Sequence, residues 1–183
     1  MKLIGKLYKN YENDEEKEIL EYGYEMLKTV VLGLIGAVII AIIMNEVLYG
    51  VMLLIFIMPL RQNAGGYHAK SKGVCAIISA LIYICALLII RYVPIYKWIL
   101  IEIFFPSAII IIHDAPVDNI NNRLDEIELK VYGNRTRIVL AIESILFMLM
   151  FARQMYRLAL IVVVSFSVVA TILIAGKVKN NLE

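Results

Sequence analysis

The sequence predicts an all-α, polytopic membrane protein of about six transmembrane helices, with both termini in the cytoplasm. Three observations carry that prediction. Of 183 residues, 61% are hydrophobic, where soluble domains sit near half apolar even with glycine counted. The mean hydropathy of +0.79 is too high for a water-soluble globule of this size, so the natural solvent is lipid. The apolar residues also fall in six runs separated by short charged segments. A soluble enzyme domain, a nucleic-acid-binding module and a disordered tail are excluded as classes. The length fits one integral membrane domain, 1–183, with small loops.

Residues 1–25 read as an amphipathic cytoplasmic leader. Leu3, Ile4, Leu7, Tyr8 and Tyr11 share one helical face, with Lys2, Lys6 and Lys9 elsewhere, which suits a helix lying in the membrane interface. Asn13 followed by Glu16 is a capping-box-like start for the helix that enters the first span. No cleaved signal is expected, because the first apolar run begins only near residue 26 and no small-residue cleavage site follows. The runs are 26–44, 47–60, 74–90, 94–112, 138–152 and 158–176. Runs two and five are short and need tilt, bilayer thinning or flanking helix to cross. Four spans with two re-entrant pieces is the rival count.

Charge placement sets the orientation. With six spans and the N-terminus inside, 14 of the 18 basic residues fall on the inner side; Arg91, Lys97, Arg153 and Arg157 fall outside. The positive-inside rule then places both termini, segment 61–75 and the basic loop 113–137 in the cytoplasm. Cys75 and Cys85 lie on one predicted helix, roughly 15 Å apart by the helical rise, beyond the reach of a disulfide. Cys85, in mid-span, reads as a buried inert thiol.

Segment 61–75, RQNAGGYHAKSKGVC, carries the chemistry. It holds one of two histidines and ends on one of two cysteines, the minimum for a thiol nucleophile with a base. On a continuous helix, His68 and Cys75 would share a face but stand roughly 10 Å apart along the axis, too far for a hydrogen bond. Gly65, Gly66 and Gly73 permit a turn that folds His68 back over Cys75. Ser71 can cap the third span, leaving Cys75 about four residues into the helix. There the helix dipole and nearby Lys70 and Lys72 favour a thiolate. His68, Cys75 and His113 supply three metal ligands at most from two separate loops, so neither metal nor cofactor is expected.

The pattern Arg61-x3-Gly65-x2-His68-Ala69-x5-Cys75 resembles that of the accessory gene regulator B family, bacterial membrane peptidases that process quorum-sensing propeptides. Ala115-Pro116 after the fourth run resembles the Ala-Pro found there in that family, and the resemblance covers nearly the whole chain. It implies that Cys75 is the nucleophile and His68 its base, with Arg61, Gly65 and Gly66 structuring the site. It implies a bacterial cell membrane location, a homodimer, and a small propeptide substrate with an amphipathic leader and an acidic C-terminal tail. Removal of that tail would leave a thioester, which the peptide's own Cys or Ser closes into a thiolactone or lactone. Tyr67 departs from the family, filling a position often small there. The loop after Pro116 also lacks a compact lysine run.

Further residues have lesser readings. Lys70, Lys72, Arg123, Lys130, Arg135 and Arg137 would favour an acidic tail, besides setting topology. Arg61 can clamp a carboxylate, and Gln62 or Asn63 can supply an oxyanion donor, although a polar loop is the simpler reading. Ser79 reads as helix packing, and Glu143 as a partnered structural carboxylate rather than an orienter of His68. Glu102 snorkels near the outer face, Asp114 and Asp118 are solvated, and His113 lies at the interface. Two rival classes remain: a peptide transporter or export subunit with Glu102 and Glu143 lining a path, and a structural scaffold without chemistry. Accessibility tags test the topology. Tags at positions 12, 70, 122 and 180 should report cytoplasm and tags at 45, 93 and 155 the outside; an outside signal at 70 overturns the charge count.

Overall fold

Lipid leaves a backbone no water to bond, so apolar runs of this length must satisfy their amides within helices. The computed structural model describes residues 14–67, 71–118 and 125–182, without the side chains of residues 14–19, Tyr22, Met26 and Lys72. The described residues form six helices and no strand. They are α1 (Asp14–Ile43), α2 (Val47–Ala64), α3 (Lys72–Tyr92), α4 (Lys97–Asp114), α5 (Glu126–Ala152) and α6 (Tyr156–Leu182). The amphipathic face expected in residues 3–11, and Asn13, lie outside the described residues.

Flanking polar residues lengthen the two short runs. The second continues through Arg61 to Ala64, giving an 18-residue helix about 27 Å long. The fifth begins at Glu126 and gives a 27-residue helix. Its start is fixed by a reciprocal cap in which Asp125 Oδ1 accepts from Glu128 N (2.6 Å) and Glu128 Oε2 accepts from Asp125 N (3.1 Å). Residues 126–137, expected as part of a basic loop, are therefore helical. Among the described residues, four helices are long and apolar enough to cross a membrane: Gly23–Ile43, Val47–Ala64, Gly73–Tyr92 and Tyr156–Leu182. Helix α4 carries Lys97, Glu102 and Asp114, and α5 carries Arg135, Arg137 and Glu143 within its last 18 residues. That ionisable load separates these two from the other four.

Helix α6 is the axis of the bundle. It packs against α2, α3, α4 and α5, while α1 lies outside against α2 and α3. Of the apolar stretch of α6, 61% is buried, against 6% for α1. Every residue from Ala159 to Phe166 is buried, as expected of a helix that is apolar all round. Its hydroxyls bond their own helix: Ser165 Oγ donates to Ile161 O, Ser167 Oγ to Val163 O and Thr171 Oγ1 to Ser167 O. Phe147 of α5 stacks on Phe104 of α4 with centroids 4.1 Å apart, and Phe104 stacks on Phe166 of α6 at 5.3 Å. This trio locks three helices at mid-bundle.

Helices α2, α4 and α6 run the same way, so one end of the bundle gathers Ala64, Asp114 and Lys177, called here the site end. The opposite end uses its cations as structure. Arg91 donates to Met44 O (2.7 Å) just past α1 and pairs with Glu46. Arg157 donates to Ile90 O in the last turn of α3, and Lys97 lies over the Tyr156 ring. Three of the four basic residues expected outside are thus spent on helix-terminal carbonyls or an aromatic face.

Two expectations change. Cys85 is exposed on the bundle surface rather than buried, because the packed face of α3 at that level is Tyr83, Ala86, Leu87 and Ile90. Ser79 is also exposed. Cutting Phe147 to Ala should destabilise the bundle by about 3 kcal/mol, the usual cost of an aromatic cavity, measured by unfolding in mixed micelles. Ile145→Ala, on a residue 61% exposed on the same helix, should cost well under half of that.

Candidate active site

The site is built around a turn at the end of α2. Four C-terminal carbonyls of any helix lack intrahelical partners, and here an arginine addresses the chain just beyond them. Arg61, in the last turn of α2, donates from Nη1 to Gly65 O and from Nη2 to Tyr67 O (2.9 Å). The backbone reverses at Gly65 (φ 70°) and Gly66 (φ 112°), conformations that side chains rarely adopt. Space demands glycine as well. A Cβ on Gly65 would run into the backbone of Val117, and one on Gly66 would stand 2.9 Å from Ile172 Cγ2 and 3.0 Å from Ile172 O.

The turn is hydrogen-bonded on two further sides. Val117 N donates to Ala64 O (2.9 Å) and Gly66 N donates to Val117 O (3.0 Å), an isolated parallel bridge. Tyr67 N donates to Ile172 O of α6 (3.1 Å). Ala115-Pro116, joined by a cis peptide bond, delivers Val117 to this position, so the Ala-Pro singled out in the sequence adjoins the glycine turn. Gly133 of α5 faces Pro116, whose Cδ would stand 3.4 Å from a Cβ there, an ordinary contact.

Cys75 enters from α3. Ser71 caps that helix, its hydroxyl accepting from Val74 N (3.2 Å), and Cys75 N donates to Ser71 O (3.1 Å). Cys75 is therefore the fourth residue of α3 and half-buried, as the sequence expects. Its thiol lies within electrostatic reach of the Arg61 guanidinium. His68, Lys70 and Arg123 lie outside the described residues, as does the side chain of Lys72.

The remaining residues sort by contact. Lys130, Arg135 and Arg137 are exposed along the first half of α5. Gln62 is exposed, and Asn63 Nδ2 is committed to Pro59 O (2.8 Å) rather than held free as an oxyanion donor. Asp114 is not merely solvated: its side chain is 16% exposed and bonds both His113 Nδ1 (2.7 Å) and Lys177 Nζ. Those two hydrogen bonds, His113 first, hold its carboxyl below the usual carboxylate range. Asp118 contributes its carbonyl, which accepts from Asn180 Nδ2 (3.1 Å). Glu143 is buried on the packed face of α5, but its Oε2 meets no hydrogen-bond partner among the described residues, so the partnered carboxylate expected there is not observed. Glu102 is exposed on α4. Among the described residues, no three His, Cys, Asp or Glu side chains group to hold a metal ion.

Val117, Ile172 and Lys177 were invisible to sequence reasoning. They act through backbone groups, or through an ion pair spanning more than sixty residues, and an apolar residue in an apolar run carries no such signal.

The sequence pattern of the accessory gene regulator B family (AgrB) matches residues 1–174. An AgrB-like protein of Clostridium perfringens strain SM101 (Type A) is 32% identical over 119 residues, covering 61% of this chain and 55% of that protein. AgrB-like protein 2 of Clostridium perfringens strain 13 (Type A) matches with the same identity and coverage. The chain thus spans about half the length of these curated relatives. No solved structure matches it.

Arg61→Ala should slow alkylation of Cys75 by iodoacetamide at neutral pH, because the two bonds that brace the turn are lost and the cation with them. Arg61→Lys should recover only part of the rate, because a point charge cannot bridge both carbonyls. Unchanged labelling in Arg61→Ala would remove the guanidinium from the thiol's surroundings.

Proposed function

The chain belongs to the accessory gene regulator B family, and we propose that it is a membrane-embedded cysteine endopeptidase and cyclase that matures a quorum-sensing propeptide. Family membership and the apolar helices identify a membrane protein associated with quorum sensing. The observation that best supports the chemistry is Cys75 in the first turn of α3, within electrostatic reach of the arginine that braces the Gly65–Tyr67 turn.

In this mechanism the Cys75 thiolate attacks the carbonyl carbon at the junction with the acidic tail. The C–N bond breaks, and the imidazolium of His68 gives its proton to the departing amine. The signal segment remains as a thioester on Cys75. The peptide's own Cys or Ser then attacks that thioester and gives its proton to His68, closing the ring and freeing Cys75. Thiol–thioester exchange is near isoenergetic, so the second step mainly needs proximity, and limited water access suppresses hydrolysis.

The bundle crosses six times in this proposal. The site end and both chain termini face the cytoplasm of a bacterial cell membrane, and the protein works as a homodimer. Lys70, Lys72, Arg123, Lys130, Arg135 and Arg137 form the basic surroundings that attract the acidic tail. The transporter alternative requires Glu102 and Glu143 on one path; Glu102 is exposed on α4 and Glu143 is buried on α5.

Cys75→Ala and His68→Ala should each abolish propeptide cleavage without loss of membrane insertion, whereas Cys85→Ala keeps most activity. Cleavage persisting in Cys75→Ala sinks the mechanism. When the propeptide's ring nucleophile is replaced by Ala, a covalent, hydroxylamine-sensitive adduct should accumulate on Cys75, with about one tail released per site. Many turnovers to a linear acid would leave a peptidase but no cyclase.

A further inference from the structure

A third wall of the glycine turn has no polar side chain to announce it. Gly176 lies on α6, one helical turn after Ile172, and both face the turn that follows α2. A Cβ built on Gly176 would stand 2.8 Å from Gly66 C, 2.8 Å from Tyr67 N and 3.0 Å from Gly66 Cα. Real Cβ atoms do not approach backbone so closely, and backbone cannot step aside as a flexible side-chain tip can. Gly176 itself is buried. At this one place the loop backbone lies directly on the helix backbone. Close approach of two backbones is what a glycine in a membrane helix permits.

The contact is bonded as well as close. Tyr67 N reaches Ile172 O at 3.1 Å, one turn before Gly176. On the far side of Gly176, Lys177 pairs with Asp114, and Asn180 Nδ2 donates to Asp118 O. Those two bonds tie α6 to the segment that presents Val117 to the same turn. The last part of α6 is therefore fastened to both neighbours of the glycine turn, with Gly176 at the point of closest contact.

We infer that Gly176 is a positioning residue: it lets α6 serve as the seat of the Gly65–Tyr67 turn, fixing the carbonyls that hold Arg61 and the direction in which the chain leaves Tyr67. The catalytic consequence rests on the peptidase proposal; the seating geometry does not. A methyl group at position 176 displaces the turn by a fraction of an ångström or more. A misplacement of about 1 Å costs on the order of a hundredfold in rate when the displaced groups carry the chemistry.

The test uses the full chain in native membranes. Gly176→Ala should lower kcat for propeptide cleavage by about a hundredfold while KM stays within about twofold, because substrate contacts are retained and alignment is lost. Alkylation of Cys75 at neutral pH should slow as well, because the carbonyls that anchor Arg61 have moved. Gly33→Ala, on a helical glycine with nothing within 4 Å, should leave both readouts unchanged. Wild-type kcat and labelling in Gly176→Ala overturn the inference. If the wild-type protein shows no Cys75-dependent cleavage, the peptidase proposal falls and the labelling comparison alone decides the seat. If Gly176→Ala fails to accumulate, Tyr67→Cys with Ala175→Cys, in a background lacking both native cysteines, decides it. The two positions line one groove, and a short bifunctional thiol reagent should join them; absence of cross-linking overturns the inference.

Discussion

A guanidinium at the end of an apolar helix must find acceptors or stay in water, and Arg61 finds two in the turn that follows it. The bonds to Gly65 O and Tyr67 O satisfy carbonyls that the end of α2 cannot. They also draw five residues into a closed loop and leave the cation's field on the neighbouring helix, where Cys75 lies. Much else at this end follows from that brace. The reversed backbone needs glycine at 65 and 66, and the outer edge of the turn becomes free to pair with Val117 on one side and Ile172 on the other. One charged side chain thus satisfies a helix end, shapes a turn and places charge near a thiol.

The two ends of the bundle meet the same requirement with different consequences. At the far end Arg91 and Arg157 take up Met44 O and Ile90 O, and these bonds close helix ends. At the site end the corresponding bonds join three segments distant in sequence. Helix α6 spans the two. Its apolar middle is enclosed by four helices, so its ends are held at fixed heights against α2 and α4. The Phe104, Phe147 and Phe166 stack fixes that register at mid-depth.

Side-chain chemistry made part of this legible in advance. The apolar runs located the helices, Ser71 announced the cap of α3, and the spacing from that cap put Cys75 at its fourth residue. The lengths of α2 and α5 were harder to read, because polar residues at Arg61–Ala64 and Glu126–Arg137 continue helices that hydropathy alone would end. Cys85 was misjudged because a membrane helix has two apolar faces, and composition does not say which meets protein and which meets lipid. Glu143 was expected to have a partner, since burying a carboxyl without one is costly, yet its Oε2 is unpartnered among the described residues. Val117 and Ile172 could not have been found at all. Their contribution is a carbonyl or an amide, which every residue possesses, brought to the right place only by tertiary packing.

The bond from Tyr67 N to Ile172 O joins residues more than a hundred positions apart, and this has a bearing on how the protein is made. A chain emerges from the ribosome N-terminal end first, so Arg61, both glycines and Cys75 are all synthesised well before their support. Until α6 inserts, the turn lacks one of its walls, Asp114 lacks Lys177 and the segment after α4 lacks its tether to Asn180. The geometry of the site is thus withheld from every nascent intermediate that lacks α6.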